Sequence, residues 1–255
     1  MVKTQECFVA FLDIMGFASF VKSEDSDDVR KYLSDFVNVA HTLNIKQLDL
    51  NIKIFSDSII VSQPVKGVIH EFYNFLLYMN ALQLMVIVEE KLGKLPLRGA
   101  IVKGDFYTDN SDLIFGRALI EAVEKESTIA IYPRIVVAHD ELQPEKQKQA
   151  IEILKKVGGS FSKYTESPGA LRRDFDGLLH CNYLSSTYLV GKGWSESAEA
   201  GIKKHREIII RNLEKKNSSK IEAKFHWMRS YHNWFCTEHK EFQGFTIKDD
   251  IFIKN

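Results

Sequence analysis

Phe-Val-Ala-Phe-Leu-Asp-Ile-Met-Gly-Phe, residues 8 to 17, sets an aspartate at the end of an apolar run and a glycine just beyond it. Residues 6 to 12 are rich in β-formers and read as a buried strand, which Gly16 breaks. A second aspartate has a matching setting in Ile-Phe-Ser-Asp-Ser-Ile-Ile-Val, residues 54 to 61. A carboxylate among apolar neighbours is costly unless it is paired, hydrogen-bonded or bound to metal. Two carboxylates side by side repel unless cations lie between them. Asp13 and Asp57 on paired strands would therefore make a seat for divalent metal, and hard oxygen donors favour magnesium or manganese. Taken singly, each aspartate reads equally well as a turn residue or a strand-end cap. The pairing is what favours metal.

Outward from these runs, Asp25 to Asp28 is an acidic helix start, and Val29, Leu33, Phe36, Val37 and Ala40 carry helical spacing towards Leu43. Residues 49 to 55 and 58 to 62 read as strands with Ser56 and Asp57 at their turn. Val68 to Leu92 reads as a buried helix closed by Gly93. Pro96 starts a strand, Leu97 to Lys103, punctuated by Gly104 and Asp105. A short strand at 112 to 115, a helix from Gly116 to about Lys125 and a strand at 134 to 138 follow. The first six elements run β-α-β-β-α-β, the split βαβ order of ferredoxin-like sheets. In that order the first and third strands are neighbours, which would bring Asp13 and Asp57 together. Beyond this α+β core (residues 1–138), residues 139–255 read as a mainly helical extension packed on it. There we expect a helix at 140–157, a loop at 158–174 and a strand from Asp176 to Leu184 that extends the sheet. Two amphipathic helices should follow, Glu196 to Lys215 and Ser219 to His239. No linker, repeat or low-complexity tract marks a firm boundary.

A chain of 255 residues can bury one large core or two small ones. Lys plus Arg and Asp plus Glu both number 34, which argues against a dedicated nucleic-acid binder. Cys7, Cys181 and Cys236 are far apart and form no zinc spacing, as suits a reducing cytosol. The N-terminus runs straight into a strand, so no signal peptide is expected. Phe75 to Val88, interrupted by Asn80 and Gln83, reads as too short to span a bilayer. These features predict a soluble cytoplasmic chain with no membrane partner.

Four motifs stand together: Asp13-Ile14-Met15-Gly16-Phe17, Lys53-Ile54-Phe55-Ser56-Asp57, Leu97-Arg98-Gly99-Ala100 through Asp105, and Phe115-Gly116-Arg117-Ala118-Leu119-Ile120-Glu121-Ala122. Turns into helices and arginines both suit phosphate. Residues 6 to about 138 resemble the class III nucleotide cyclases, whose first strand carries Phe-x-Asp-Ile-x-Gly-Phe as residues 11 to 17 do. In that family a second metal aspartate sits in a later hairpin, as Asp57 does. A lysine four residues before it reads the base in adenylate cyclases, a spacing Lys53 shares. The wording of the motifs, with Tyr132-Pro133-Arg134-Ile135 added, is similar to the pyrimidine cyclases of bacterial Pycsar antiphage defence. A weaker similarity continues through Asp176-Gly177 to Asn182-Tyr183 and through Lys224 to Asn233.

The resemblance implies a uridylate cyclase making 3′,5′-cyclic UMP and pyrophosphate from UTP, and a downstream effector switched on by the product. A cytidylate cyclase is the alternative. It implies two divalent ions, Mn2+ or Mg2+, bridged by Asp13 and Asp57 with the Ile14 carbonyl as a further ligand. Residues Ile14, Met15, Gly16 and Phe17 would receive the β- and γ-phosphates, with Lys53, Arg98 and Gly116 also at the nucleotide. Sites would form at a head-to-tail homodimer interface, with Arg117 reaching the partner's metals.

One departure matters. In adenylate cyclases an asparagine and an arginine follow the later helix's glycine at positions held here by Ile120 and Glu124. Arg117, Arg98 or Arg134 would have to replace that arginine, or the chain is an inactive nucleotide-binding module. A diguanylate cyclase is disfavoured, because the hairpin reads Phe-Ser-Asp-Ser rather than Gly-Gly-Asp-Glu-Phe. Trp194, Trp227 and Trp234 read as packing residues, Lys203-Lys204-His205-Arg206 as a solvated helix face, and His226, His232 and His239 lack a metalloprotease pattern.

Overall fold

The computed structural model describes residues 4–43, 48–67, 71–92, 95–108, 113–138, 169–187, 198–215 and 217–248. The strands are β1 (Gln5–Ile14), β2 (Asn51–Phe55), β3 (Ser58–Pro64), β4 (Leu97–Thr108), β5 (Ile114–Phe115), β6 (Ile135–Val137), β7 (Leu171–Arg173) and β8 (Leu179–Cys181). They form one sheet in the order β2-β3-β1-β4-β6-β8-β7, with β5 added to the far end of β4. Its first half is the order expected of a ferredoxin-like βαββαβ unit, with β1 between β3 and β4 and antiparallel to both. β6 lies parallel to β4, so the chain crosses over between them through α4 (Arg117–Ile129).

Side chains alternate across β1. Phe8, Ala10, Leu12 and Ile14 join the main core with residues of α2 (Ser26–Thr42) and α3 (Glu71–Val88). Cys7 and Val9 face Ala118 and Ala122 of α4, with Phe11 packed alongside. Asp13 shares the parity of Cys7, Val9 and Phe11, so it projects on the α4 side. Among the described helices, α2 starts where expected, with Asp25 accepting the Asp28 N–H at 2.9 Å. The segment between Gly16 and Asp25 forms a separate short helix, α1 (Phe17–Ser23).

Four expectations need correction. β4 runs through Gly104 and Asp105 to Thr108, because those residues pair with Cys7 and Glu6 of β1. Leu171–Arg173, expected as loop, forms β7. The strand expected from Asp176 extends the sheet only as Leu179–Cys181, and a 3₁₀ turn at Tyr183–Ser186 follows it. α3 is long and apolar enough to cross a membrane by length and composition, yet 83% of its apolar window is buried within this protein. Its polar residues stay inside because they bind backbone carbonyls. Asn80 donates to Leu76 O and Ala170 O, and Gln83 donates to Leu97 O and Pro133 O. The helix expected at 140–157, Trp194 and Gly93 lie outside the described residues.

Two long helices, α5 (Ala198–Leu213) and α6 (Ser219–Glu238), pack against α3 and the 3₁₀ turn through Leu84, Ile87, Tyr183, Leu184, Ile202, Ile209 and Met228. Arg134 fastens this part to the sheet. It is 1% exposed, ion-pairs with Asp174 and Asp176, and lies against the Tyr132 and Trp227 rings. Trp227 in turn donates to Asp174 at 2.7 Å.

Candidate active site

Asp13 stands one residue from the end of β1, opposite Ser58 of β3 and Arg98 of β4. Asp57 immediately precedes Ser58, and its carbonyl accepts the Ile14 N–H at 3.0 Å. The ladder thus brings the two aspartates to adjoining positions at one end of the sheet. Ser56 and Asp57 form the two-residue turn between β2 and β3. Ser56 has φ of 56°, a positive value that a non-glycine residue adopts only under local constraint.

The turn after Asp13 is tied from both sides. The Met15 N–H donates to Pro96 O at 2.9 Å. With the Ile14 amide also engaged, Gly16 and Phe17 carry the remaining amides of the turn. Gly16 has φ of 85°, a left-handed conformation open to glycine, and its carbonyl accepts the first amides of α1. The side chains of Met15 and Phe17 are buried, so this turn meets solvent mainly through backbone.

Arg98 sits between two acids. It donates to Asp13 Oδ2 at 2.8 Å and lies 2.8 Å from Glu126 Oε1 on α4. Glu126 was not foreseen as a site residue. Its carboxyl is raised above the usual range, first by burial and then by the Asp13 and Asp57 charges, while Arg98 pulls it down. Three carboxylates against Arg98 and Lys224 leave a small excess of negative charge. Asp13 keeps one oxygen outside its bond to Arg98. Hard oxygen donors with surplus negative charge fit magnesium or manganese. Among the described residues no three acidic, histidine or cysteine side chains converge on one point. Asp13 and Asp57 would thus supply two carboxylates, and phosphates and water the rest of the shell.

The other expected residues are spread around this centre. Lys53 lies on β2 opposite Ile60, on the same face as Asp13 and half-buried. Arg117 is exposed at the start of α4, about 14 Å along the helix axis from Glu126. Within one chain it is therefore distant from Asp13. Gly116, just before it, packs so tightly on β4 that a Cβ would stand 2.4 Å from Asp105 O. Ile120 and Glu124 both face solvent. Arg134, the third candidate for the transition-state arginine, is buried in its two ion pairs and holds the fold. A further residue comes from α6. Lys224 is half-buried and close enough to feel Arg98 and Asp13, and its pKa is lowered by burial first, then by Arg98 and Lys220.

No family model matches the chain, and no curated protein matches it. Solved structures similar to it include a non-canonical dimeric guanylyl cyclase domain of the RhoGC fusion protein from Blastocladiella emersonii, at 15% identity over 54% of this chain and 81% of that one, with a TM-score of 0.43. The adenylyl cyclase CyaB from P. aeruginosa is similar at 16% identity over 70% and 92%, TM-score 0.43. The guanylate cyclase domain of RhGC from Catenaria anguillulae, in complex with GTP, is similar at 14% identity over 71% and 96%, TM-score 0.42. Likenesses this distant assign no activity to this chain.

Proposed function

We propose that this protein is a nucleotide cyclase acting on a pyrimidine triphosphate, with UTP preferred. The observation that carries the reading is the placement of Asp13 and Asp57 at adjoining positions on one end of the sheet, inside a cluster of net negative charge. Cyclisation is an internal phosphoryl transfer, in which the ribose 3′-oxygen attacks the α-phosphorus and pyrophosphate leaves. The protein mainly positions groups and balances charge. Bound divalent ions would lower the pKa of the 3′-hydroxyl and offset the charge of the phosphates. Asp13 and Asp57 would hold them. Arg98 keeps Asp13 in one orientation and limits the repulsion within the cluster. Arg117, exposed and distant from its own chain's aspartates, would serve a second subunit in a homodimer with shared sites.

The base preference rests on Lys53. An ammonium can only donate, so it suits O4 of uracil where cytosine presents an amino group. A donor closed off from water by the bound nucleotide and left facing that amino group costs about 1–3 kcal/mol, roughly ten- to a hundredfold in selectivity. The similarity of the motifs to Pycsar cyclases supports a cytoplasmic role in antiphage defence, with cyclic UMP acting through a separate effector. Incubation with equal UTP and CTP plus manganese tests the reading. Cyclic UMP should dominate and should match pyrophosphate mole for mole, and Lys53→Ala should erode the preference more than the rate. Dominant cyclic CMP or a cyclic purine nucleotide would overturn the base assignment. No cyclic product from any triphosphate would leave a nucleotide-binding module.

A further inference from the structure

A cleft of about 610 Å³ opens beside the turn that follows Asp13. One wall is Met15 and Gly16 of that turn with Ser19 and Ser23 of α1. The opposite wall comes from the C-terminal helices and carries Arg211, Lys215 and Lys224. Glu24 is the one acid among the described lining residues, so the cleft holds an excess of positive charge. Its size falls within the range of ligand sites, about 300–1,000 Å³. Lys224 is half-buried whereas Arg211 and Lys215 are exposed, so Lys224 lies at the inner side of the cleft. The three cations stand across the cleft from the backbone of the turn after Asp13, so an anion bound there would meet opposite charge on one side and amides on the other.

We propose that the ends of α5 and α6, with Lys215 and Asn217 between them, form the polyphosphate seat of the active site, with Lys224 as its inner ligand and Arg211 and Lys215 at its mouth. This inference rests on the cyclase reading. The negative cluster at Asp13 and Asp57 and the positive cleft are adjacent, so a triphosphate can span them. Its α-phosphorus would lie at the aspartates and its β- and γ-phosphates between Gly16 and Lys224. The same cations would hold pyrophosphate until it leaves. The C-terminal half then supplies ligands to its own chain's site, and its helices are part of the catalytic unit.

The test is calorimetric binding of inorganic pyrophosphate, with manganese present, to the full chain and to Lys224→Met, Lys224→Arg and Lys215→Gln. Lys224→Met should bind at least tenfold more weakly, about 1.4 kcal/mol, and raise the KM for UTP in step. Lys224→Arg should keep most of the affinity. Lys215→Gln, at an exposed position, should lose about threefold and serves if Lys224→Met does not fold. Wild-type-like pyrophosphate binding in the folded variants, or no binding by the wild type, overturns the proposal. Loss of pyrophosphate binding in Lys224→Met without cyclic product from the wild type would support the seat and defeat the cyclase reading. Unchanged KM and binding in a Lys224→Met protein that still cyclises UTP would do the reverse.

Discussion

Asp13 is oriented by Arg98, and Arg98 is shared with a glutamate that is 8% exposed. Replacing either aspartate should therefore remove the proposed metal seat without disturbing the core. Asp13→Asn and Asp57→Asn should each lower turnover by about a thousandfold or more at saturating manganese, with melting temperatures near that of the wild type. Arg98→Met acts differently. It leaves Glu126 buried without its cation, at a cost of about 1–3 kcal/mol in unfolding free energy. Glu126 would then titrate further above its unfolded value, and a raised carboxyl pKa favours the fold only while the group is protonated. The deficit of Arg98→Met should thus shrink as pH falls below neutrality, as urea unfolding at several pH values would show. Asp13 and Asp57 were legible because an aspartate inside an apolar run is anomalous. Glu126 reads as an ordinary helix acid, although it continues the buried Ala118–Ala122 stripe at the same spacing of four.

On α5 and α6 the buried polar groups form a chain. His232 Nε2 lies 3.0 Å from Phe245 O, which can only accept, so His232 donates there and accepts at Nδ1. His205 therefore donates from Nδ1 at 2.9 Å and accepts the Tyr183 hydroxyl at Nε2, also at 2.9 Å. Every member is neutral. Burial pushes His232 and His180 down to about 4. Their folded values lie below the unfolded value near 6.5, so the stability they contribute is present above pH 6.5. It is lost as pH falls towards 4, by up to about 3 kcal/mol for each. Unfolding free energy should decline through that window, and the imidazole NMR signals of His180 and His232 should still report neutral rings at pH 5.5. A charged His232 at that pH would contradict the buried chain, and a charged His180 the depression of its pKa by burial. The sequence hid this because Lys203-Lys204-His205-Arg206 looks solvated. Helical spacing instead sets His205 with Ile202 and Ile209 on the buried face. β7 was hidden for a related reason. Two of its three residues are arginines, and Arg172 is held by stacking 4.2 Å from the Trp234 ring centre, a tertiary contact no local pattern announces. The β1, β2 and β3 strands and α2 were legible because apolar period and acidic cap agree there.

At the scale of the whole molecule, the role proposed for Arg117 requires a second subunit, because Arg117 is distant from Asp13 within one chain. The exposed face of α4 also carries apolar Ile120 and Val123, and Phe55 at the nearby hairpin is 82% exposed. If two chains share sites, Asp57→Asn and Arg117→Ala should each be inactive alone and regain part of the activity when mixed, because one site of the mixed dimer is whole. Proven mixed dimers without activity would remove Arg117 from the site. The central claim is that Asp13 and Asp57 form a metal-dependent centre for nucleotide cyclisation. The most direct measurement is product analysis by mass, after the wild type and Asp13→Asn are incubated with each of the four triphosphates while manganese is titrated. The account predicts cyclic UMP and equal pyrophosphate from the wild type, rising with manganese, and about a thousandfold less or none from Asp13→Asn. Cyclic product from Asp13→Asn at a rate near that of the wild type, or that forms equally without divalent metal, would contradict it.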